Sequence, residues 1–187
     1  MKEHKTSYLI DLIGRAQLGD EEAFTELYNH SFVPVYRYIY FRVKNKIEAE
    51  DLAQSVFLKV FASLHRFEDR GTSPLAYFFT IAKNEVMSHW RKKKDVLLDN
   101  PDVFFAHIAS ERAHPQQELE RSEADAEILQ SLSQLTKEQQ EVLVMRFIGE
   151  LSNKEISEII GKREDAVRQI QSRGLRTLRK YLTNEQS

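Results

Sequence analysis

The 187-residue chain sets 27 Lys and Arg against 29 Asp and Glu, a net charge of −2 that by itself predicts no attraction to nucleic acid or to an anionic membrane. With 41% hydrophobic and 30% charged residues but only 6 Gly and 4 Pro, it reads as an all-α globular chain with enough apolar surface for one large core or two small ones. Zero Cys excludes a disulfide scaffold, thiolate zinc sites and cysteine nucleophiles, and no apolar run approaches the roughly 20 residues of a membrane helix, so a cytoplasmic protein without membrane insertion is expected.

Leu9, Leu12, Ile13 and Ala16 recur at helical spacing and predict a first helix from Ser7 to Leu18, stopped by Gly19. Asp20 is the expected N-cap of a second helix, with Glu21 and Glu22 where the helix dipole favours anions and with Phe24, Leu27 and Tyr28 inside. Pro34 is expected to interrupt that pattern before the aromatic stretch from Val35 to Phe41. A third helix places Leu52, Val56, Phe57, Val60, Phe61 and Leu64 on its buried stripe and turns Glu50, Asp51, Gln54 and Lys59 to water. After the polar turn from Glu68 to Ser73, Pro74 suits a first helical position, and Leu75, Phe78, Phe79, Ala82 and Val86 mark a fourth helix ending in Arg91-Lys92-Lys93-Lys94.

Charge divides the chain at this point. Residues 1–94 carry net +3, residues 95–135 net −7 and residues 136–187 net +2, so two mildly basic ends flank a strongly acidic middle. Pro101, Pro115 and the turn-forming Asp99-Asn100-Pro101-Asp102 give that middle no sustained period. The expected organisation is two small helical domains, 1–94 and 135–187, joined by an acidic linker over 95–134.

The last segment is helical by pattern. Thr136 to Gln139 has capping-box spacing before Val142, Leu143 and Phe147, with Gly149 expected to close the helix. Ser152 to Glu155 is a second capping box, opening a short helix that buries Ile156, Ile159 and Ile160 and ends at Gly161. The final helix starts near Glu164 and is expected to bury Val167, Ile170, Leu175, Leu178 and Leu182. Two short helices around a glycine turn, with Ser157 expected at their close crossing, form a helix-turn-helix pattern. The outward face of the last helix carries Asp165, Gln169, Ser172, Arg173, Arg176 and Lys180, with Arg168 and Arg179 at its edge; residues 162–180 carry net +5. A phosphate backbone would be drawn to that field, and Arg and Gln can read base edges in a major groove. An amphipathic helix with a merely solvated basic face has the same composition, but the capped partner helix and turn glycine favour DNA binding. The second basic cluster, Lys83 with Arg91 to Lys94, lies beside Tyr77, Phe78, Phe79 and Trp90. Such a mixture suits stacking on unpaired bases, and equally suits core aromatics followed by a helix terminus with dipole-complementing lysines.

Three stretches together resemble the bacterial extracytoplasmic-function sigma factors, group 4 of the RNA polymerase sigma factors: Ala49 to Phe57 (AEDLAQSVF), Thr80 to Asn84 (TIAKN) running on to the Arg91–Lys94 cluster, and Leu135 to Leu182. The resemblance covers both sigma regions in order. It implies a promoter-specificity subunit that directs core RNA polymerase, captures the melted minus-ten element and initiates transcription, with no chemistry and no cofactor of its own. Asp51, Gln54 and Leu58 would face the clamp helices of the polymerase largest subunit. The loop from Phe67 to Ser73, including Arg70, would with Tyr77 and Asn84 take a base flipped from the non-template strand, while Lys83, Arg91, Lys92 and Lys93 hold its backbone. The duplex minus-thirty-five element would be read by Arg163, Arg168, Gln169, Ser172, Arg173 and Arg176. The acidic linker would thread towards the polymerase active-site and RNA-exit channels, and an anti-sigma factor would be a further partner. Tyr77 stands where such proteins commonly have Trp, and Lys162 where an apolar residue is usual.

Two other classes compete. An enzyme finds no support in the 6 His, which form no i,i+4 pair and no HExxH, nor in any Gly-rich phosphate loop. The single His89 beside Trp90 reads as a hydrogen-bonded or surface side chain. A stand-alone helix-turn-helix regulator, binding duplex DNA by itself with the N-terminal half as a sensing or dimerising unit, shares the C-terminal pattern.

Overall fold

The computed structural model describes residues 2–99 and 130–184, and among these residues every regular element is a helix. In chain order they are α1 (Lys2–Gln17), α2 (Glu21–Val43), α3 (Lys46–Ser63), a 3-10 turn over Leu64–Arg66, α4 (Pro74–Asp99), α5 (Lys137–Phe147), α6 (Asn153–Ile160) and α7 (Glu164–Asn184). Residues 100–129, which hold Pro101, Pro115 and most of the expected acidic linker, lie outside the described residues.

Side-chain caps fix where the N-terminal helices begin. The Asp20 carboxylate accepts from the Ala23 amide at 3.0 Å and from Arg15 Nε and Nη2 at 2.9 and 2.7 Å. That amide, joined by the Arg15 guanidinium, holds the Asp20 carboxyl below its ordinary value. Asn45 caps α3 by accepting from Glu48 N at 3.1 Å, one residue after Lys44 has closed α2 in the left-handed region at φ 56°. α1 starts five residues before the expected Ser7, because the polar turn ahead of Leu9 carries no apolar period to reveal it. Pro34 does not interrupt α2. It sits inside a continuous 23-residue helix, where fully buried Val35, Tyr38 and Ile39 pin the following turns to the core against the lost hydrogen bond. On α3, Phe61 departs from its expected burial: it is largely exposed, with its ring edge-on to Phe24 at 4.9 Å. α1 to α4 bury Leu9, Leu12, Ile13, Leu27, Val56, Val60, Phe78 and Val86 among themselves.

The start of the C-terminal half is tied together by Gln140, whose buried side-chain amide donates to the carbonyls of Leu132 and Leu135 at 2.8 and 3.1 Å. Both expected capping boxes form, Thr136 with Gln139 and Ser152 with Glu155, and Gly161 ends α6 at φ 68°. Gly149 plays a different part from the one expected. The residue with positive φ in that turn is Glu150, at 55°, while a Cβ on Gly149 would stand 2.7 Å from Met145 O and 2.8 Å from Phe79 Cζ. Ser157, expected at the close crossing of the helix-turn-helix, is half-buried and donates its hydroxyl to Lys154 O of its own helix. α7 comes close to α5 at Gly174, where a Cβ would lie 3.0 Å from Leu143 Cδ1. Val167 is fully buried and Ile170 and Leu178 are half-buried, whereas Leu175 is exposed; the side chain of Leu182 lies outside the described residues.

The two halves share one core. Tyr38 of α2, its ring tilted against Phe79 of α4 at 5.3 Å, is fully buried and donates its hydroxyl to Glu141 Oε1 of α5 at 3.0 Å. Arg42 Nη1 reaches Lys137 O at 3.3 Å and Glu141 Oε2 at 4.0 Å. Burial, and secondarily the Glu141 carboxylate, pushes the Tyr38 phenol well above its ordinary value. The fold therefore prefers the neutral phenol: the resulting stability is complete below about pH 10, the ordinary tyrosine value, and is lost as pH rises beyond it. Tyr38→Phe should cost about 1 kcal/mol at neutral pH and show a smaller loss of denaturant stability above pH 10 than the parent chain. Parallel losses in the two proteins would uncouple Tyr38 from alkaline unfolding.

Candidate nucleic-acid and polymerase interfaces

α7 is positioned by its apolar side. Val167 at the floor and Gly174 against Leu143 fix its rotation on α5, which turns Arg168, Gln169, Ser172, Arg173 and Arg176 to solvent on the opposite side. Arg163, just ahead of the helix, is exposed as well. A groove of ≈ 390 Å³ runs along this face between Arg168, Gln171, Ser172, Leu175, Arg176 and Arg179. Exposed Leu175 is thus part of the groove wall. Arg168 is braced from its own helix: Nη2 bonds Glu164 Oε1 at 2.5 Å and Nη1 lies 3.5 Å from Asp165 Oδ1. The Glu164 hydrogen bond raises the Arg168 guanidinium further above its already high value, so it is cationic across the whole accessible range. Lys162, the departure from an apolar position, pairs with Glu138 Oε1 of α5 at 2.7 Å and so ties the turn to the helix beneath it.

On α3, spacing predicts that Asp51, Gln54 and Leu58 share one side, and all three are exposed along it. Two apolar side chains extend the stripe at helical intervals, Ile47 at 67% and Phe61 at 63% exposure, beside Leu58 at 70%. The sequence pattern missed both. Ile47 sits in the first turn ahead of the apolar stripe, and Phe61 has the same spacing as residues that are buried.

The loop after the 3-10 turn is held from below. Gln17 Nε2 donates to Leu64 O at 2.9 Å and Phe67 O at 3.0 Å, a support with no signature in the sequence. Asp69 Oδ1 accepts from Gly71 N at 2.9 Å, closing a turn in which Gly71 has φ 70°, and Arg70 pairs with Glu68 at 3.0 Å. Phe67 meets Tyr77 edge-on at 5.4 Å, and the Tyr77 hydroxyl bonds Ser63 Oγ. An aromatic smaller than Trp is thereby locked in place. Phe67, Arg70 and Tyr77 line one cavity of ≈ 360 Å³ together with Thr72 of the same loop and with Arg66 and Thr80, two residues for which spacing gave no sign. The far wall of this cavity comes from the C-terminal half: Glu155, Glu158 and Ile159 of α6.

The remaining basic-cluster residues do not line that cavity. Asn84, Arg91 and Lys92 are exposed along α4. Lys93 lies 3.3 Å from Glu48 Oε1 and 5.4 Å from the Trp90 ring centroid, a cation–π contact. His89 Nε2 is 3.0 Å from Glu48 Oε2, a hydrogen-bonded surface histidine. Phe78 and Phe79 are fully buried core. Ser73 and Lys83 both bond to α6, through Ser73 N to Glu155 Oε1 at 2.5 Å and Lys83 Nζ to Ile159 O at 2.6 Å. The linker expected to enter the polymerase channels lies for the most part in residues 100–129, outside the described residues. Among the described residues no helix is long and apolar enough to cross a membrane.

Residues 27–96 match the family model Sigma-70 region 2, and residues 131–180 match Sigma-70, region 4. Over 177 residues the chain is 33% identical to the ECF RNA polymerase sigma factor BldN of Streptomyces coelicolor, an alignment covering 95% of this chain and 67% of that protein. It is 30% identical over 165 residues to the ECF RNA polymerase sigma factor SigX of Bacillus subtilis, covering 87% and 84% of the two chains. Its fold resembles that of CnrH in complex with the cytosolic domain of CnrY, with a TM-score of 0.64 at 20% identity over 92% of this chain and 96% of that one. The sigma factor RpoE of Bartonella quintana, in complex with the anti-sigma factor NepR, gives a TM-score of 0.67 at 23% identity over 86% and 96%. With both sigma regions present in order, and with sequence likeness to SigX running along most of each protein, the chain belongs to the ECF family of RNA polymerase sigma factors.

Proposed function

We propose that residues 1–94 act as the domain that binds core polymerase and captures the melted minus-ten element, that residues 135–187 read the duplex minus-thirty-five element, and that residues 95–134 form an acidic linker between them. The observation that carries this reading is the pairing of two different nucleic-acid surfaces in one chain. α7 offers Arg, Gln and Ser on a convex helical face, which suits a major groove. The loop after α3 offers an aromatic-walled cavity with Arg66 and Arg70 at its edge, which suits an unstacked base. A regulator that recognises duplex alone has use for the first surface and none for the second.

In this reading Phe67, Arg70, Ser73, Tyr77 and Asn84 take the flipped base, and Lys83, Arg91, Lys92 and Lys93 follow its backbone. Arg163, Arg168, Gln169, Ser172, Arg173 and Arg176 contact the duplex. Asp51, Gln54 and Leu58 dock on the clamp helices of the polymerase largest subunit, a role supported by the continuous exposed stripe from Ile47 to Phe61. Such a stripe of apolar side chains interrupted by Asp and Gln fits a protein partner better than it fits solvent. The protein works in the cytoplasm, where core polymerase is, and performs no chemistry of its own. An anti-sigma factor is a further partner in this proposal, by analogy with the complex described for RpoE and NepR.

Three outcomes follow. Added to core RNA polymerase, the chain gives run-off transcripts from a subset of fragments in a genomic promoter library; a complete absence of sigma-dependent transcripts would refute the proposed role. Asp51→Ala lowers affinity for core polymerase, measured by competition in holoenzyme assembly, and leaves duplex binding by α7 unchanged. Arg173→Ala costs roughly 1–3 kcal/mol on the selected duplex element if it contacts a base. Equal weakening on every duplex sequence would make it a phosphate contact.

A further inference from the structure

α1 ends beside the loop assigned to the flipped base, and its last residue reaches into that loop. Gln17 Nε2 donates to Leu64 O at 2.9 Å and to Phe67 O at 3.0 Å. Both partners are carbonyls, which only accept, so the amide nitrogen with its two hydrogens is the end that must face them. The two carbonyls bracket a change of backbone direction. Leu64 opens the 3-10 turn and its carbonyl also accepts from Phe67 N at 2.9 Å; Phe67 then leaves the turn in extended geometry, at φ −65° and ψ 130°. One carboxamide therefore holds the chain on both sides of the point where the turn becomes the loop. Phe67 is the residue whose ring meets Tyr77 and lines the cavity from that point.

The direction of Gln17 is set by its neighbours. Leu18 N and Asp20 N bond to Arg15 O at 3.0 and 3.2 Å, Gly19 turns the chain at φ 91°, and the Arg15 guanidinium closes the turn on the Asp20 carboxylate. Further back, Leu9, Leu12 and Ile13 bury α1 against the bundle. The helix is thus fixed without help from Gln17, whose side chain is exposed. What the two Gln17 bonds fix is the entry to the loop.

We propose that Gln17 is a positioning residue for the captured base: the end of α1 sets the stance of Phe67 and, through it, how strictly the pocket tells one base from another. The role rests on the assignment of this loop to strand capture. A pocket rejects a wrong base only as far as its wall cannot shift to admit it, so selectivity depends on how firmly the wall is held. The next contacts along the loop, Asp69 to Gly71 N and Arg70 to Glu68, lie within it and shape it without anchoring it to the bundle. Gln17 supplies a polar anchor at the loop entrance, beside the ring contact of Phe67 with Tyr77.

The test uses holoenzyme assembled from the full chain and core RNA polymerase. The probe is a fluorescently labelled single strand carrying the minus-ten element of a promoter selected from the genomic run-off library, made in a set with each of the four bases at each position. Anisotropy gives the ratio of affinities between the preferred base and the others at the position where Phe67→Ala removes the preference. Gln17→Met keeps length and neutrality and removes both donors. Gln17→Glu sets acceptors against two carbonyls, and Gln17→Lys restores donors while adding positive charge. The expected result is a ratio lowered about tenfold in Gln17→Met and Gln17→Glu and kept within about twofold of the parent in Gln17→Lys. Affinity for core polymerase stays unchanged in all three. Preserved helicity confirms that each variant is folded, and if Gln17→Glu is not, Gln17→Met carries the test.

An unchanged ratio in Gln17→Met would overturn the role, as would equal weakening on all four bases or a loss in Gln17→Lys as large as that in Gln17→Met. An affinity order of Lys, then Met, then Glu at constant ratio is the pattern of charge alone and would overturn it too. A parent without base preference, or one whose preference survives Phe67→Ala at every position, rejects the pocket reading and this role together. Preference that is lost in Phe67→Ala but kept in Gln17→Met rejects the role alone and leaves the pocket standing.

Discussion

The structure depends on burying Tyr38 and Phe79, two large aromatic rings on the N-terminal bundle that are sealed in part by the C-terminal half. Both are fully buried, and both reach the boundary, Tyr38 through its hydroxyl on Glu141 and Phe79 through its ring edge on Gly149. Fully burying an aromatic side chain is worth about 1.5–3 kcal/mol, and a buried hydroxyl left without a partner loses about as much. Glu141 and the bare backbone at Gly149 therefore decide that these two positions can be apolar core. A side chain at 149 would displace the ring, which gives this glycine a packing reason that its φ does not.

The same contact sets what each surface can do. Helices α2 and α4 fix α5 on one side, α5 carries α6, and α6 comes to rest against the loop after α3. The single Glu155 carboxylate then serves the capping box of its own helix and an amide of the opposite half. Its burial follows from doing both, since a carboxylate can be taken out of water when its oxygens are supplied with donors. α7 is held to α5 by Gly174 on Leu143, so its basic exposed face takes no part in this contact.

Sequence reading recovered the elements well where the local chemistry was decisive. Asp20, Thr136, Ser152 and Gly161 mark helix ends by hydrogen bonds within three residues or by a left-handed turn, and each stands as expected. The exposed sides of α3 and α7 followed from helical spacing, because Asp51, Gln54, Arg168 and Arg173 need only their own helix to define a direction. Spacing failed where two sites of equal period have different neighbours. Phe61 and Leu175 lie on apolar stripes yet are exposed, and Pro34 lies within a helix whose neighbouring turns are too well buried to break. Gln17 supports the loop from 47 residues away, while Arg66 and Thr80 enter the cavity from positions close to Phe67 and Tyr77 that no apolar period marks.

By itself, then, the sequence determined the helical class, the helix-turn-helix, the exposed basic face of α7 and the family resemblance, because each is written in contacts a few residues long or in the order of short motifs. It also resolved a net charge near zero into basic ends and an acidic middle. Tertiary structure alone decided that the two basic halves share a core, that Lys83 is bound to a carbonyl 76 residues away, and that an aromatic-walled cavity is finished by two carboxylates of α6. Those facts depend on distances between segments remote along the chain. Periodicity orients a side chain about its own helix axis, but it carries no information about which other helix lies opposite.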